Sequence, residues 1–273
     1  MTIRIHHLNC GTLCPACQRL INGFGGWTDA AELVCHCLLI ETPKALVLVD
    51  TGFGQQDVAE PERRLGKSVL TTMRPRLDPA ETAIAQVKAL GFDPRDVQHI
   101  VPTHLDLDHA GGLSDFPEAK VHVLQAELDQ ILKPSRRDRM RFRKVQFDHQ
   151  PDWAVYDQPQ EAWKGFSVIR PIPELDLDLL MVPLIGHTKG HVGVAVHDGS
   201  QWQMHCGDAY FHHSEVTATP DVPRGLAVFE KLVRTWPDIH AENQQRLQQL
   251  ALGYEDVSLF CAHDPLELAR YQG

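Results

Sequence analysis

The chain reads as a layered α/β fold with sheets inside and helices outside, and three observations predict it. Short apolar runs rich in β-branched residues recur along the length, each bounded by Gly, Pro, Asp or Asn, as strands buried in layered folds tend to be. Stretches with helical spacing and helix punctuation lie between some of them. No long polar linker, low-complexity tract or internal repeat breaks the pattern, so residues 1–273 are expected to form one domain.

The elements follow in order. Strands are expected at residues 3–5, 34–40, 45–49, 97–101, 121–124, 192–196 and 257–260. Asp78-Pro79-Ala80-Glu81 supplies an N-cap, a first-turn proline and a capping-box acid. Ile84, Val87 and Leu90 then follow at helical spacing, and Gly91 supplies the stop. A second helix is expected over about residues 239–252 and a third after Pro265. Residues 53–77 and 133–165 read as insertions, the latter carrying a run of arginines and two tryptophans. Loops at strand ends are the expected carriers of function.

Composition narrows the function classes. The formal net charge of -10 argues against a general nucleic-acid binder, which needs a concentrated basic surface. The longest apolar runs are too short to span a bilayer, and no basic region followed by an apolar stretch opens the chain. A cytoplasmic enzyme acting on a small molecule, with no nucleic-acid or membrane partner, is expected, a homodimer being the default assembly. The basic stretch from Arg136 through Arg141 to Lys144 reads first as a solvated face, and second as a patch for an anion. Seven cysteines are too odd a set for a disulfide framework in that setting. Cys10, Cys14 and Cys17 have a spacing that suits an iron–sulfur cluster, and Cys14 and Cys17 suit a structural zinc with Cys35 or Cys37. Thiols without a ligand are the safer reading.

The chemistry is concentrated elsewhere. Thr103-His104-Leu105-Asp106-Leu107-Asp108-His109 is followed by Ala110-Gly111-Gly112, and later by Gly186-His187-Thr188, Gly207-Asp208 and Ala262-His263-Asp264. Imidazole and carboxylate are metal donors, and seven of them exceed what one four-coordinate ion needs. Alternation in an extended segment turns His104, Asp106 and Asp108 to one side, and His109 breaks it, implying a turn or helix start. His104 and Asp106 then serve one ion, and Asp108 and His109 a second.

In these residues the chain resembles the metallo-β-lactamase fold superfamily, whose H-x-H-x-D-H signature is followed by a distant His, Asp and His. The matching positions are His104, Asp106, Asp108, His109, His187, Asp208 and His263, and Asp50-Thr51-Gly52 matches the superfamily's second-strand signature. The match spans Asp50 to His263, and Asp108-His109-Ala110-Gly111-Gly112 looks most like lactonase-type and glyoxalase-like members. The resemblance implies a four-layer αβ/βα sandwich with metals at one edge. One position departs from the pattern: Asp106 stands where the second histidine belongs. A carboxylate there is a harder donor and shifts preference toward iron or manganese, zinc remaining the leading expectation for a pair of divalent ions.

Such a pair, bridged by Asp208, is expected to ionise a shared water to a hydroxide that attacks the carbonyl of a lactone, ester or thioester. Asp108 is the candidate catalytic proton donor to the leaving group. Asp50 and His191 are expected to orient ligand histidines. Tyr210, His212 and His213 are candidates to line the pocket, and the loop Gly23-Phe24-Gly25-Gly26-Trp27 is either a connector or a lid. No Gly-x-Ser-x-Gly elbow supports a serine hydrolase. Two alternatives are a glyoxalase-like sulfur dioxygenase with one iron, suggested by Asp106 and Cys206, and a non-catalytic metal-binding scaffold.

Overall fold

Side-chain alternation sorts the apolar residues into three layers, and those layers set the architecture. The structure is a computed structural model describing residues 3–272. One sheet runs in the order β1 (Arg4–Leu13), β2 (Leu33–Glu41), β3 (Leu46–Val49), β4 (Val97–Val101), β5 (Lys120–Leu124) and β6 (Asp152–Tyr156). Its first three strands are antiparallel neighbours, and β3 to β6 are parallel. A hairpin of β7 (Glu161–Trp163) and β8 (Phe166–Val168) turns at Lys164 and Gly165, both at positive φ. The second sheet contains β9 (Leu179–Pro183), β10 (Val192–His197), β11 (Trp202–His205) and β12 (Val257–Phe260), ordered β12-β11-β10-β9.

Between the sheets, Leu38, Ile40, Val47 and Val49 of the first meet Met181, Val192, Val194 and Val196 of the second. The opposite face of the first sheet, through Leu39, Leu48 and Ile100, packs against Ile84 and Val87 of the helix Ala83–Ala89. The opposite face of the second, through Leu180, Val182 and Ala195, packs against Leu247 and Leu250 of the helix Pro237–Gly253. The order helix, sheet, sheet, helix is the four-layer sandwich. It explains why β2 is an almost unbroken apolar run: both of its faces are covered.

A polar seam crosses the inter-sheet core. Nε2 of His7 on β1 donates to Gln203 Oε1 on β11, and His7 Nδ1 lies 2.8 Å from His36 Nε2 on β2. Burial lowers the His7 imidazole to about 4 and that of His122, on β5, to about 3, so both are neutral at pH 7.

Several expectations change. The stretch after Asp78 is two elements: a 3-10 turn Pro79–Glu81, capped by Asp78, and the helix Ala83–Ala89. Thr82 is extended between them, its hydroxyl donating to the Pro79 carbonyl. Residues 133–165 are only partly an insertion, because they carry β6, the edge of the first sheet. Residues 53–77 hold three short helices, Gln55–Ala59, Pro61–Arg64 and Lys67–Thr72. The helices Gln125–Leu132 and Arg224–Val233 were not expected. No helix among the described residues is long and apolar enough to cross a membrane.

Candidate metal centre

All seven predicted donors lie on segments that follow strands, at one edge of the sandwich. His104 and Asp106 sit on the loop after β4, and Asp108 and His109 on the short helix Leu107–Ala110 that follows. His187 lies between β9 and β10, Asp208 after β11, and His263 after β12. Asp106 is the N-cap residue of its helix, yet its carboxylate makes no capping bond and turns into the site.

The donors form two groups that share Asp208. In the first, Asp106 Oδ2 lies 3.1 Å from both His104 Nε2 and His187 Nε2, and Asp208 Oδ2 lies 3.3 Å from His187 Nε2 and 3.8 Å from His104 Nε2. In the second, Asp208 Oδ1 lies 3.3 Å from His109 Nε2 and 3.2 Å from His263 Nε2. Asp108 Oδ2 stands at the margin, 3.6 Å from His263 Nε2. One oxygen of Asp208 therefore faces each group.

Outer contacts decide which ring nitrogen faces inward. His263 Nδ1 donates to the Val34 carbonyl at 2.7 Å, and His109 Nδ1 donates to Asp50 Oδ2 at 2.9 Å. Burial alone would raise Asp50, but His109 beside it keeps that carboxyl below its ordinary range. Asp50 also accepts from the backbone N–H and hydroxyl of Thr103, so that hydroxyl is free to accept from His104 Nδ1 at 3.1 Å. His104, His109 and His263 thus present Nε2 lone pairs to carboxylate oxygens, an arrangement of facing acceptors. His109 Nε2 and Asp208 Oδ1 are buried with no hydrogen-bond partner. Groups so arranged call for a cation between them, and imidazole–carboxylate sets of this size fit a divalent ion. Burial would raise Asp208, and the imidazoles of His263, His109 and His187 hold it well below the carboxylate range.

Other residues fix the loops. Glu127, buried on the helix Gln125–Leu132, accepts from Leu105 N through one oxygen and from Gly190 N through the other, both at 2.9 Å. It thereby ties the loop of His104 to the loop of His187. Gly207, at φ 54, has no room for a side chain: a Cβ there would meet His191 Nε2 at 2.6 Å. That ring accepts from Asp208 N at 2.9 Å. His191 consequently positions the shared aspartate, not a histidine as expected, whereas Asp50 does hold a histidine.

A cleft of about 310 Å³ opens over both groups. Asp106, Asp108, His187, Asp208 and His263 form its floor, and Leu33, Phe53, Met73, Phe211, Phe229 and Val233 are among its walls. Arg137 and Arg141, four apart in the basic stretch, also line it. Arg141 pairs with both oxygens of Asp106, and Arg137 donates to the Leu232 and Arg234 carbonyls. The solvated-face reading fails for Arg141, whereas Arg137 remains exposed.

Several candidate residues lie elsewhere. Tyr210 is fully buried in the core behind the second sheet, its hydroxyl donating to Glu267. His213 pairs through Nδ1 with Asp264, and His212 with Ser214, beside a smaller pocket that shares Leu33, Phe211 and His263 with the cleft. Trp27 is 65% exposed and lies over Arg19, outside the cleft lining; the lid reading fails for it. Cys206 is buried with Met204 and Tyr210, facing away from the site, which removes one support of the redox alternative. All seven cysteines are free, and Cys14 and Cys17 join no donor cluster among the described residues. Cys35 does: its thiol lies within 4.8 Å of donor atoms of Asp108 and His263, a placement that no local motif announces.

Known proteins share this arrangement's frame. A family profile described as the metallo-beta-lactamase superfamily matches residues 30–251. A probable metallo-hydrolase of Mycobacterium tuberculosis is 42% identical over 273 residues, 98% of this chain and 83% of its own length. An N-acyl homoserine lactonase, AttM, of Azorhizobium caulinodans is 29% identical over 200 residues, 69% of each protein. Among solved structures, an N-acyl homoserine lactone hydrolase with N-hexanoyl-L-homoserine at its catalytic metal centre superposes with a TM-score of 0.71. It is 19% identical, and the match covers 99% of this chain and 97% of that one. That likeness shows the fold.

Proposed function

The chain belongs to the metallo-β-lactamase superfamily and is a hydrolase of it, and from that premise we propose that it opens lactones or cleaves esters or thioesters carrying an apolar acyl group. The observation that carries this reading is the shared-aspartate donor cluster on the floor of a cleft with apolar walls. The relatives named as N-acyl homoserine lactonases support the lactone first.

His104, Asp106, His187 and Asp208 would hold one divalent ion, and Asp108, His109, Asp208 and His263 a second, zinc being the leading candidate. Ions bound there supply an ionised water at neutral pH and a positive charge for the substrate oxygen. The chain's own residues do the rest. Phe211, Phe229 and Met73 receive the acyl group and exclude water from the reacting carbonyl. Asp108, at the margin of the cluster and lining the cleft, would take the proton released by the attacking water and pass it to the leaving oxygen or sulfur. Asp50 and the Val34 carbonyl keep His109 and His263 in the metal-binding tautomer.

The test is metal quantification on protein purified without chelator, followed by a panel of acyl lactones, esters, thioesters and phosphoesters. Turnover of an acyl lactone, ester or thioester, lost with a chelator and restored by zinc, is the expected result. Fully metal-loaded protein inert to the whole panel, or turnover indifferent to chelation, would overturn it.

A further inference from the structure

Arg141 carries five N–H protons, and the structure offers each an acceptor. Nε and one Nη2 proton grip the two oxygens of Asp106. Nη1 donates to the backbone carbonyls of His187 at 3.1 Å and Val233 at 2.7 Å. The remaining Nη2 proton faces His187 Nε2. The guanidinium is therefore a fully satisfied plug at one end of the cluster.

Two of its acceptors, the Asp106 carboxylate and the His187 nitrogen, are half of the first donor group. A neutral imidazole nitrogen has one lone pair in the ring plane, and it serves either a guanidinium proton or a metal ion. Like charge adds to the exclusion, since a guanidinium and a divalent ion repel at this separation. The second group is held differently: its outer contacts are the Asp50 carboxylate and the Val34 carbonyl, neither of them a cation. His187 also lacks an outer anchor, its Nδ1 being buried without a partner.

We propose that Arg141 is a built-in competitor for the first metal position. It satisfies Asp106 and His187 when that position carries no ion, and it must leave the His187 nitrogen before an ion is coordinated there. The two positions are accordingly unequal: the position at His109, Asp208 and His263 fills first and tightly, and the one at His104, Asp106 and His187 fills second and weakly. This rests on the reading of these side chains as metal donors.

The experiment is a zinc titration of the full chain stripped of metal, in competition with a chromophoric chelator, with ion count per chain read by native mass spectrometry. Wild type is compared with Arg141→Gln and Arg141→Met, each checked for folding by its thermal unfolding curve. Wild type is expected to bind in two steps separated by at least about a hundredfold in affinity, and both variants to keep the tight step and strengthen the weak one by about tenfold or more. Two steps of equal affinity in wild type overturn the proposal, whether or not the variants fold. So does a weak step unchanged in a folded variant. No zinc retained by any form would instead overturn the metal-dependent reading itself.

Discussion

The two halves of the donor cluster are built on opposite plans. Around His109 and His263, each imidazole is tied from behind by a buried group on a strand or its end: Asp50 after β3, and the Val34 carbonyl on β2. Around Asp106 and His187 the restraint comes instead from Arg141, on a short helix in the 133–165 region, and from Glu127 acting through the backbone. Strands of the central sheet hold the first pair, and peripheral helices the second. A centre organised this way has one rigid half and one half whose geometry depends on an added element.

Removing what the halves share should have the largest effect. Asp208→Ala is expected to abolish ion retention at both positions and to lower kcat/KM by about a thousandfold or more; elemental analysis and kinetics on one preparation check it. Cutting the tie between the two ligand loops comes next. Glu127→Ala strands the buried N–H groups of Leu105 and Gly190, at about 1–3 kcal/mol each, and a lowered midpoint in thermal unfolding measures the loss. Asp50→Asn tests the rigid half alone: removing the carboxylate behind His109 should weaken the tight zinc step by about 10- to 100-fold and leave the weak step closer to its wild-type value. An equal loss at both steps would erase the distinction between the halves.

Acid separates scaffold from site. His7 and His122 titrate near 4 and 3 in the fold, against 6.5 when free. Below pH 6.5 these two groups take up protons in the unfolded chain that they refuse in the native one, and their contribution to stability falls with pH until those lower values are reached. For His7 the full loss is on the order of 3 kcal/mol. The difference in the pH dependence of urea unfolding between wild type and His7→Gln, from pH 7 to 4, reads this contribution apart from the other titrating groups. The smallest effect is expected of Trp27→Ala, which lies outside the cleft and should leave KM for an acyl lactone within about twofold of wild type; a large rise would restore the lid.

Much of the site was readable because its donors sit beside local signals. Aspartates, histidines and glycines cluster directly after apolar strands, and their order along the chain specifies partners that only folding brings together. The αβ/βα sandwich followed from the resemblance those residues carry, and its strands β2 to β5, β10 and β12 from continuous apolar runs. Strands β6, β9 and β11 carry no comparable signal, for physical reasons. Asp152–Tyr156 lies in a stretch that looks inserted, Leu179–Pro183 is leucine-rich without a period of two, and Trp202–His205 alternates too briefly. Tyr210 lies in the core and not in the pocket because the chain turns at Gly207, sending the phenol two residues beyond Asp208 away from the site. Arg141 shows the sharper limit. A basic run is ordinarily solvated, and nothing local says that two of its arginines, one helical turn apart, face a carboxylate and a helix end.

The bond from His263 to the Val34 carbonyl closes a loop of 229 residues between partners. A chain without this closure lacks the His263 part of the second donor group, however complete its first sheet. Cation capture at His263 would thus be coupled to the docking of the second sheet on the first. Zinc should leave the rate of early collapse unchanged and act instead as a latch, slowing the opening that lets β12 depart.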